Sequence, residues 1–326
     1  MSAVLVDVAK LGSWLDSEGL ETGLPITVEP LVGGRSNAMF VIGRGASEWA
    51  LRRPNQVAVE RANDGMRREF RMLAALDGEP VPHPSVVALC DDQAVLGCTF
   101  YLMQRVVGVH PFPAPAALDT DAGRRAIAFA LVETLAHLHQ VDWRAAGLAD
   151  LGHPEQFHER QVSRWTRQLA SYEGRELPGI ERITDYLTAH IPAHFDPSIM
   201  HADFHMMNVL IAADAPARLV AVLDWETATI GDPLLDLAGF CEVWCSVAKE
   251  QDGWPSRAEL VAHYAATQGV PIGELTYYEV LYNFRLAVLL EGVYTRSLTD
   301  PVRGPQPDVA ERVLFNLARA EKLVAG

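Results

Sequence analysis

Between residues 201 and 208 the chain reads His-Ala-Asp-Phe-His-Met-Met-Asn, and Asp224 follows sixteen residues after Asn208, at the end of the apolar run VAVLD. An acid, a nearby amide and a second acid make a short inventory, and phosphoryl transfer asks a protein for little more. One carboxylate must orient and deprotonate an acceptor hydroxyl, and another, with an amide oxygen, must hold Mg2+ against the phosphates. Mg2+ takes hard oxygen ligands and keeps several waters, so few protein groups suffice. Asp203, Asn208 and Asp224 supply them. A competing reading makes His201, Asp203 and His205 ligands of zinc or iron, which imidazole suits, and the protein a His-based metallohydrolase. Phe204 and the strand-like run that follows argue against the helix this would need, and no third strong ligand stands nearby in the sequence. A lone Asp in a loop is also common as a turn or cap residue.

These residues need elements to position them. NVLIAA and ARLVAVLDW are strand-like and separated by the turn DAP, so the chemistry sits at the ends of a short hairpin. Ahead of it the chain changes character near residue 106. Up to there, short strand-like runs alternate with glycine turns: ITVEPLVGG, NAMFVIGRG, SEWALRRP, VVALC and TFYLMQRV. One helical stretch interrupts them, with Met66, Phe70, Leu73 and Leu76 at helical spacing. Beyond a linker near 104–116 the pattern is helical, beginning with a helix that places Ile127, Leu131, Leu135 and Leu138 on one face. The expectation is an α+β, bilobal chain. Residues 1–105 form a small β-sheet lobe with one helix, and residues 106–326 form a larger, mostly helical lobe containing the hairpin.

On the sheet side, Leu31-Val32-Gly33-Gly34-Arg35-Ser36-Asn37 lies between two strands. Glycines there let backbone N–H groups approach phosphates closely, although two glycines between strands also make an ordinary hairpin turn. No GK[ST] follows, so this is not a Walker A loop.

In the order GGRSN, LRRP, FYLM, HADFHMMN and DWETATIGDPLLDLA, the chain resembles the aminoglycoside phosphotransferase family, which shares the protein-kinase-like fold with choline kinases. It is most similar to the branch related to the kinase-like part of certain acyl-CoA dehydrogenases. The resemblance runs over about residues 28 to 240 and implies a kinase acting on a small-molecule hydroxyl, with ATP and Mg2+ as cofactors. By that resemblance Asp203 is the catalytic base, with His201 orienting its loop. Asn208 and Asp224 are the magnesium ligands, and Asp236 buttresses the loop. Glu226 approaches a second metal or makes a local salt bridge. Gly33, Gly34 and Ser36 meet the phosphates, and Gln104 and Val106 flank the adenine. Arg52 takes the position where kinases carry a strand lysine, with Glu69 as its helix partner. Arginine keeps the charge but not the reach or geometry. That departure motivates the alternative of a catalytically silent nucleotide-binding regulatory module.

Composition narrows the partners. The formal charge is −15 and the pI near 5.1, which argues against a duplex-binding surface, since that needs clustered Lys and Arg. Cys90, Cys98, Cys241 and Cys245 make no disulfide framework and no CxxC pair, and the last two read as core residues one helical turn apart. No signal peptide and no membrane-length apolar run is visible, which leads to the expectation of a cytoplasmic protein without nucleic-acid or membrane partners. For the acceptor, Glu226, Glu242 and Glu291 are the acids that a polycationic aminoglycoside would need to converge. Tyr277, Tyr278, Tyr282, Phe284 and Trp244 are either core or an apolar lining.

Overall fold

The computed structural model describes residues 5–31, 37–55, 60–172, 174–248, 252–300 and 304–326. They gather into two compact units. One comprises Met1–Gly123, Arg144–Leu151 and Met206–Ala228; the other comprises Arg124–Trp143, Gly152–His205 and Thr229–Gly326.

The first unit is built on the expected strands. After α1 (Val8–Ser17) come β1 (Ile26–Leu31), β2 (Asn37–Arg44), β3 (Ser47–Pro54), α2 (Glu60–Ala75), β4 (Val86–Cys90), the one-turn α3 (Gln93–Leu96) and β5 (Phe100–Gln104). The strands form one antiparallel sheet in the order β1-β2-β3-β5-β4. Strand side chains alternate between faces, and β3 uses both. Trp49 and Leu51 join Leu11, Trp14 and Leu15 of α1 in one apolar cluster, while Arg52 reaches Glu69 of α2. Only one helix was expected on this sheet, and α1 corrects that. The Asp7 carboxylate accepts from the N–H groups of Ala9 and Lys10 at 3.1 Å, an N-cap, and Leu11, Trp14 and Leu15 bury one stripe. A sheet apolar on both faces needs cover on both. The two arginines of LRRP divide accordingly: the buried Arg53 donates to the carbonyls of Leu5 and Leu96 on the α1 side.

Further along come α4 (Asp121–Gln140), α5 (Phe157–Ala170), α6 (Ile180–Ala189), β6 (Ser198–Met200), β7 (Val209–Ile211), β8 (Leu219–Val222) and β9 (Thr229–Gly231). Then follow α7 (Pro233–Val247), α8 (Arg257–Gln268), α9 (Thr276–Ser297) and α10 (Pro307–Ala325). Ile127, Leu131, Leu135 and Leu138 of α4 are all fully buried, as the helical spacing requires. β7 and β8 form the expected hairpin. It belongs to the first unit, where the Val222 N–H donates to Pro82 O at 2.7 Å and Val109 bridges Ile211. The sequence gives no sign of the antiparallel pair β6–β9, which has three residues per strand. It lies directly before His201 on one side and Asp232 on the other, and so brings the start of α7 to the loop after β6. Cys241 is buried but Cys245 is exposed, which corrects the reading of both as core. Among the described residues no helix is long and apolar enough to cross a membrane.

Candidate active site

Each unit carries part of the chemistry read from the sequence. In the second, His201, Ala202 and Asp203 follow β6. The buried Asp236, in the first turn of α7, accepts from the His201 N–H at 2.6 Å and from the Ala202 N–H at 2.9 Å. Ala202 has φ +65°, in the left-handed region that a residue with a Cβ rarely enters. Such strain, on the order of 1–3 kcal/mol, persists where surroundings over-determine it. Here both peptide groups of Ala202 are fixed, since its carbonyl accepts from Arg285 Nη2 at 2.8 Å. The His201 ring is fully buried, and its Nδ1 accepts from the Asp203 N–H at 3.3 Å. The loop therefore turns the Asp203 side chain outward, 47% exposed, with His205 Nε2 at 3.5 Å from its Oδ1.

A recess of about 220 Å3, mouth included, opens on Asp203 and is lined also by His205, Leu235, Gly239, Tyr282 and Arg285. A Cβ on Gly239 of α7 would stand 2.6 Å from the Tyr282 ring, so the glycine is what lets α9 approach. Burial pushes the Tyr282 phenol well up, and the Asp203 carboxylate adds to the shift, so Tyr282 stays a hydrogen-bond donor. The sequence reading took Tyr282 as core or apolar lining and did not see Arg285. The available signal was one charge inside the apolar run LYNFRLAVLL of α9.

In the first unit the structure brings together Arg52, Glu69 and Asp224. Arg52 Nε donates to Glu69 at 2.8 Å, and its Nη2 donates to Asp224 at 3.1 Å and lies 3.4 Å from Glu226. Asn37 donates to the same Glu226 oxygen at 3.1 Å. Asp224 has φ +64°, also in the left-handed region. Its turn is tied down where the Leu223 N–H donates to Asn208 O at 2.7 Å and Trp225 Nε1 to Val222 O at 2.9 Å. One guanidinium thus faces three carboxylates. Burial works against the Arg52 charge, but those carboxylates outweigh it and raise its pKa. Burial pushes Glu69 up to about 7 in spite of Arg52, with Asp224 and Glu226 adding to the rise.

The other residues singled out in the sequence stand apart from these two groups. Gln104 ends β5, its N–H donating to Ser85 O at 2.8 Å and its side chain exposed. Val106 follows it, half-buried. Gly33, Gly34 and Ser36 lie outside the described residues. The three acids considered for a polycationic acceptor are each engaged elsewhere. Glu242 accepts from Arg319 and Asn283, Glu291 from Arg175, and Glu226 from Asn37 and Arg52. Tyr277, Tyr278, Phe284 and Trp244 are buried.

Residues 27–270 match the phosphotransferase enzyme family. The chain belongs to that family. Among curated relatives, mouse acyl-CoA dehydrogenase family member 10 is 32% identical over 280 residues, covering 82% of this chain but only 26% of the relative. Human acyl-CoA dehydrogenase family member 11 is 30% identical over 305 residues, 89% of this chain and 39% of the relative. The chain thus spans a quarter to two-fifths of the length of these relatives, which carry a phosphotransferase-family domain. Among solved structures, a candidate aminoglycoside phosphotransferase of Ralstonia eutropha superposes with a TM-score of 0.86 at 28% identity, covering 98% of both chains. The resemblance drawn from the motifs, to the acyl-CoA dehydrogenase-linked branch of a kinase-like family, is the one these relatives display.

Proposed function

We propose that this family member is an ATP- and Mg2+-dependent phosphotransferase that moves the γ-phosphate onto a hydroxyl group of a small molecule. The observation that carries the reading is the clamp of Asp236 on the peptides of His201 and Ala202, which holds an acid of the HxDxxxxN loop outward beside a recess. In the reaction the acceptor oxygen bonds to the γ-phosphorus, the bond to the ADP oxygen breaks, and the hydroxyl proton passes to Asp203. His201 keeps that carboxylate's loop in place. Asn208 and Asp224 would hold the metal, which supplies charge neutralisation at the phosphates when bound. The residues of the first unit fit a divalent cation, since three carboxylates around a single guanidinium leave an excess of negative charge. Among the described residues no three His, Cys, Asp or Glu side chains form a complete metal cage, so phosphate oxygens and water would complete the coordination. Arg52 and Glu69 serve the phosphate side, Gln104 and Val106 the adenine side, and Gly33, Gly34 and Ser36 the phosphate loop.

Asp203→Asn tests the reading. Loss of transfer to every accepted alcohol, by roughly 100-fold or more, with MgATP still raising the melting temperature, is the expected result. Undiminished transfer refutes it. One observation favours the silent module instead: the Arg52 donors already point at protein acceptors. Tight MgATP binding by the wild type, with no transfer to any of a broad set of alcohols, would establish that alternative.

A further inference from the structure

The chain carries 42 acidic and 27 basic residues, so arginines gathered together with no acid paired to them run against its charge balance. Several arginines of the second unit are paired with acids. Arg125 meets Glu259, Arg175 meets Glu291, Arg257 meets Glu279, and Arg319 meets Glu242. Beside the recess the pattern stops. Arg285 and Arg164 share one indole, with guanidinium carbons 5.7 and 4.8 Å from the Trp165 ring centroid. Arg285 donates to the Ala202 carbonyl, and Arg160 is held by the carbonyls of Glu155 and His153. Among the described residues no carboxylate lies within ion-pair distance of Arg160, Arg164 or Arg285. Burial lowers the Arg164 pKa, and the neighbouring charges of Arg285 and Arg160 lower it further, so these like charges repel and an arriving anion would relieve them.

The acids near Arg285 do not fill the role. Asp236 spends both carboxylate oxygens on the peptides of His201 and Ala202, and Glu242 is taken by Arg319 and Asn283. Asp203 and Arg285 therefore stand in one recess as an acid for a hydroxyl proton and a fork-shaped cation. A guanidinium suits the oxygens of a carboxylate or phosphate. The recess is small and open to solvent, so it meets no more than the end of a ligand.

We propose that Arg285, backed by Arg164 across Trp165, receives an anionic group of the acceptor. The substrate is then an alcohol carrying a carboxylate or phosphate close to the hydroxyl that Asp203 deprotonates. The inference deepens the phosphotransferase reading above and rests on it for the direction of the reaction.

Calorimetric titration with glycerate, glycerol phosphate, glycerol and choline tests it on the wild type and on Arg285→Gln, Arg285→Lys, Arg164→Gln and Asp203→Asn. At least one of the two anions should bind the wild type, and which one tells carboxylate from phosphate. Binding should weaken roughly tenfold or more in Arg285→Gln, as for loss of a charge-assisted hydrogen bond. It should weaken less in Arg285→Lys, and also in Arg164→Gln, a change that leaves the Arg285 bond to Ala202 in place. It should persist in Asp203→Asn. Absence of binding by both anions, binding indifferent to the Arg285 and Arg164 changes, or a preference for choline overturns the proposal. The two readings fail separately. Anion binding that depends on Arg285, with no transfer from MgATP to any alcohol, removes the phosphotransferase and leaves the anion subsite. Phosphorylation of glycerol or choline with an unchanged KM in Arg285→Gln does the reverse.

Discussion

Arg52 belongs to the first unit and Arg285 to the second, and their surroundings are opposite. Arg52, on the middle strand of the sheet, is buried and lies within 3.4 Å of three carboxylates. Arg285, on α9, is half-buried, has a peptide carbonyl as its hydrogen-bond partner, and shares an aromatic ring with another arginine. The first surroundings gather carboxylates around one guanidinium, and the second gather arginines around one indole, with Asp203 sharing the recess. A cation is the natural complement of the carboxylates around Arg52, and under the proposed reading an anionic group of the acceptor is the complement of Arg285.

The comparison breaks most visibly if Arg52 is removed. Arg52→Met leaves three carboxylates facing one another around a buried position, and denaturant unfolding should show a loss of about 3–5 kcal/mol. Added Mg2+ should recover part of it, and a loss below about 1 kcal/mol would mean that the carboxylates turn to solvent and need no counter-charge. Asp236→Asn comes next. An amide offers one oxygen in place of two, so one buried N–H of the 201–202 loop loses its acceptor, at about 1–3 kcal/mol. The melting temperature should fall together with turnover, and a fall in stability alone would separate the clamp from the chemistry. Arg285→Met, by contrast, removes one hydrogen bond to a carbonyl. It should cost no more than about 1.5 kcal/mol, and equal losses for Arg52→Met and Arg285→Met would erase the distinction. A pH dependence probes the Arg52 side in a different way. Burial raises Glu69 from the ordinary 4.5 to about 7 in the folded chain. The native state therefore binds the extra proton between those values. Its contribution to stability is fully present below about 4.5 and is lost as the pH rises through about 7. Glu69→Gln should flatten this slope, seen as a melting-temperature gap to wild type that shifts in the variant's favour from pH 5 to pH 8.

Much of the fold was legible because its signals are local. The five strands of the sheet and the buried stripe of α4 follow from two-residue and helical periodicity over windows long enough to show it. β6 and β9 do not, because three residues carry no period. α1 is only 10 residues long, and its stripe of Leu11, Trp14 and Leu15 is too brief to stand out as a period. At the candidate site, Asp203, Asn208 and Asp224 stand close enough in the chain to be read as a group. The ring of Glu69, Asp224 and Glu226 on Arg52 joins three distant segments, and only the resemblance pointed to the Arg52–Glu69 pair. Arg285 lies 83 residues from Ala202 along the chain, a separation across which composition and spacing say nothing. Similar separations hid the arginine partners of Glu242 and Glu291, without which those residues looked available to a cationic substrate.

Gly239 gives the recess a floor that can be altered in one direction only. Every replacement there adds atoms where the Tyr282 ring already stands 2.6 Å from the place of a Cβ, so the ring must move toward the recess or α9 must lift. A lineage adapting this recess to a larger ligand could not deepen it at position 239. It would have to widen the recess by trimming Tyr282 or Leu235, which leaves the route to new acceptors through residues that border Arg285 and Asp203.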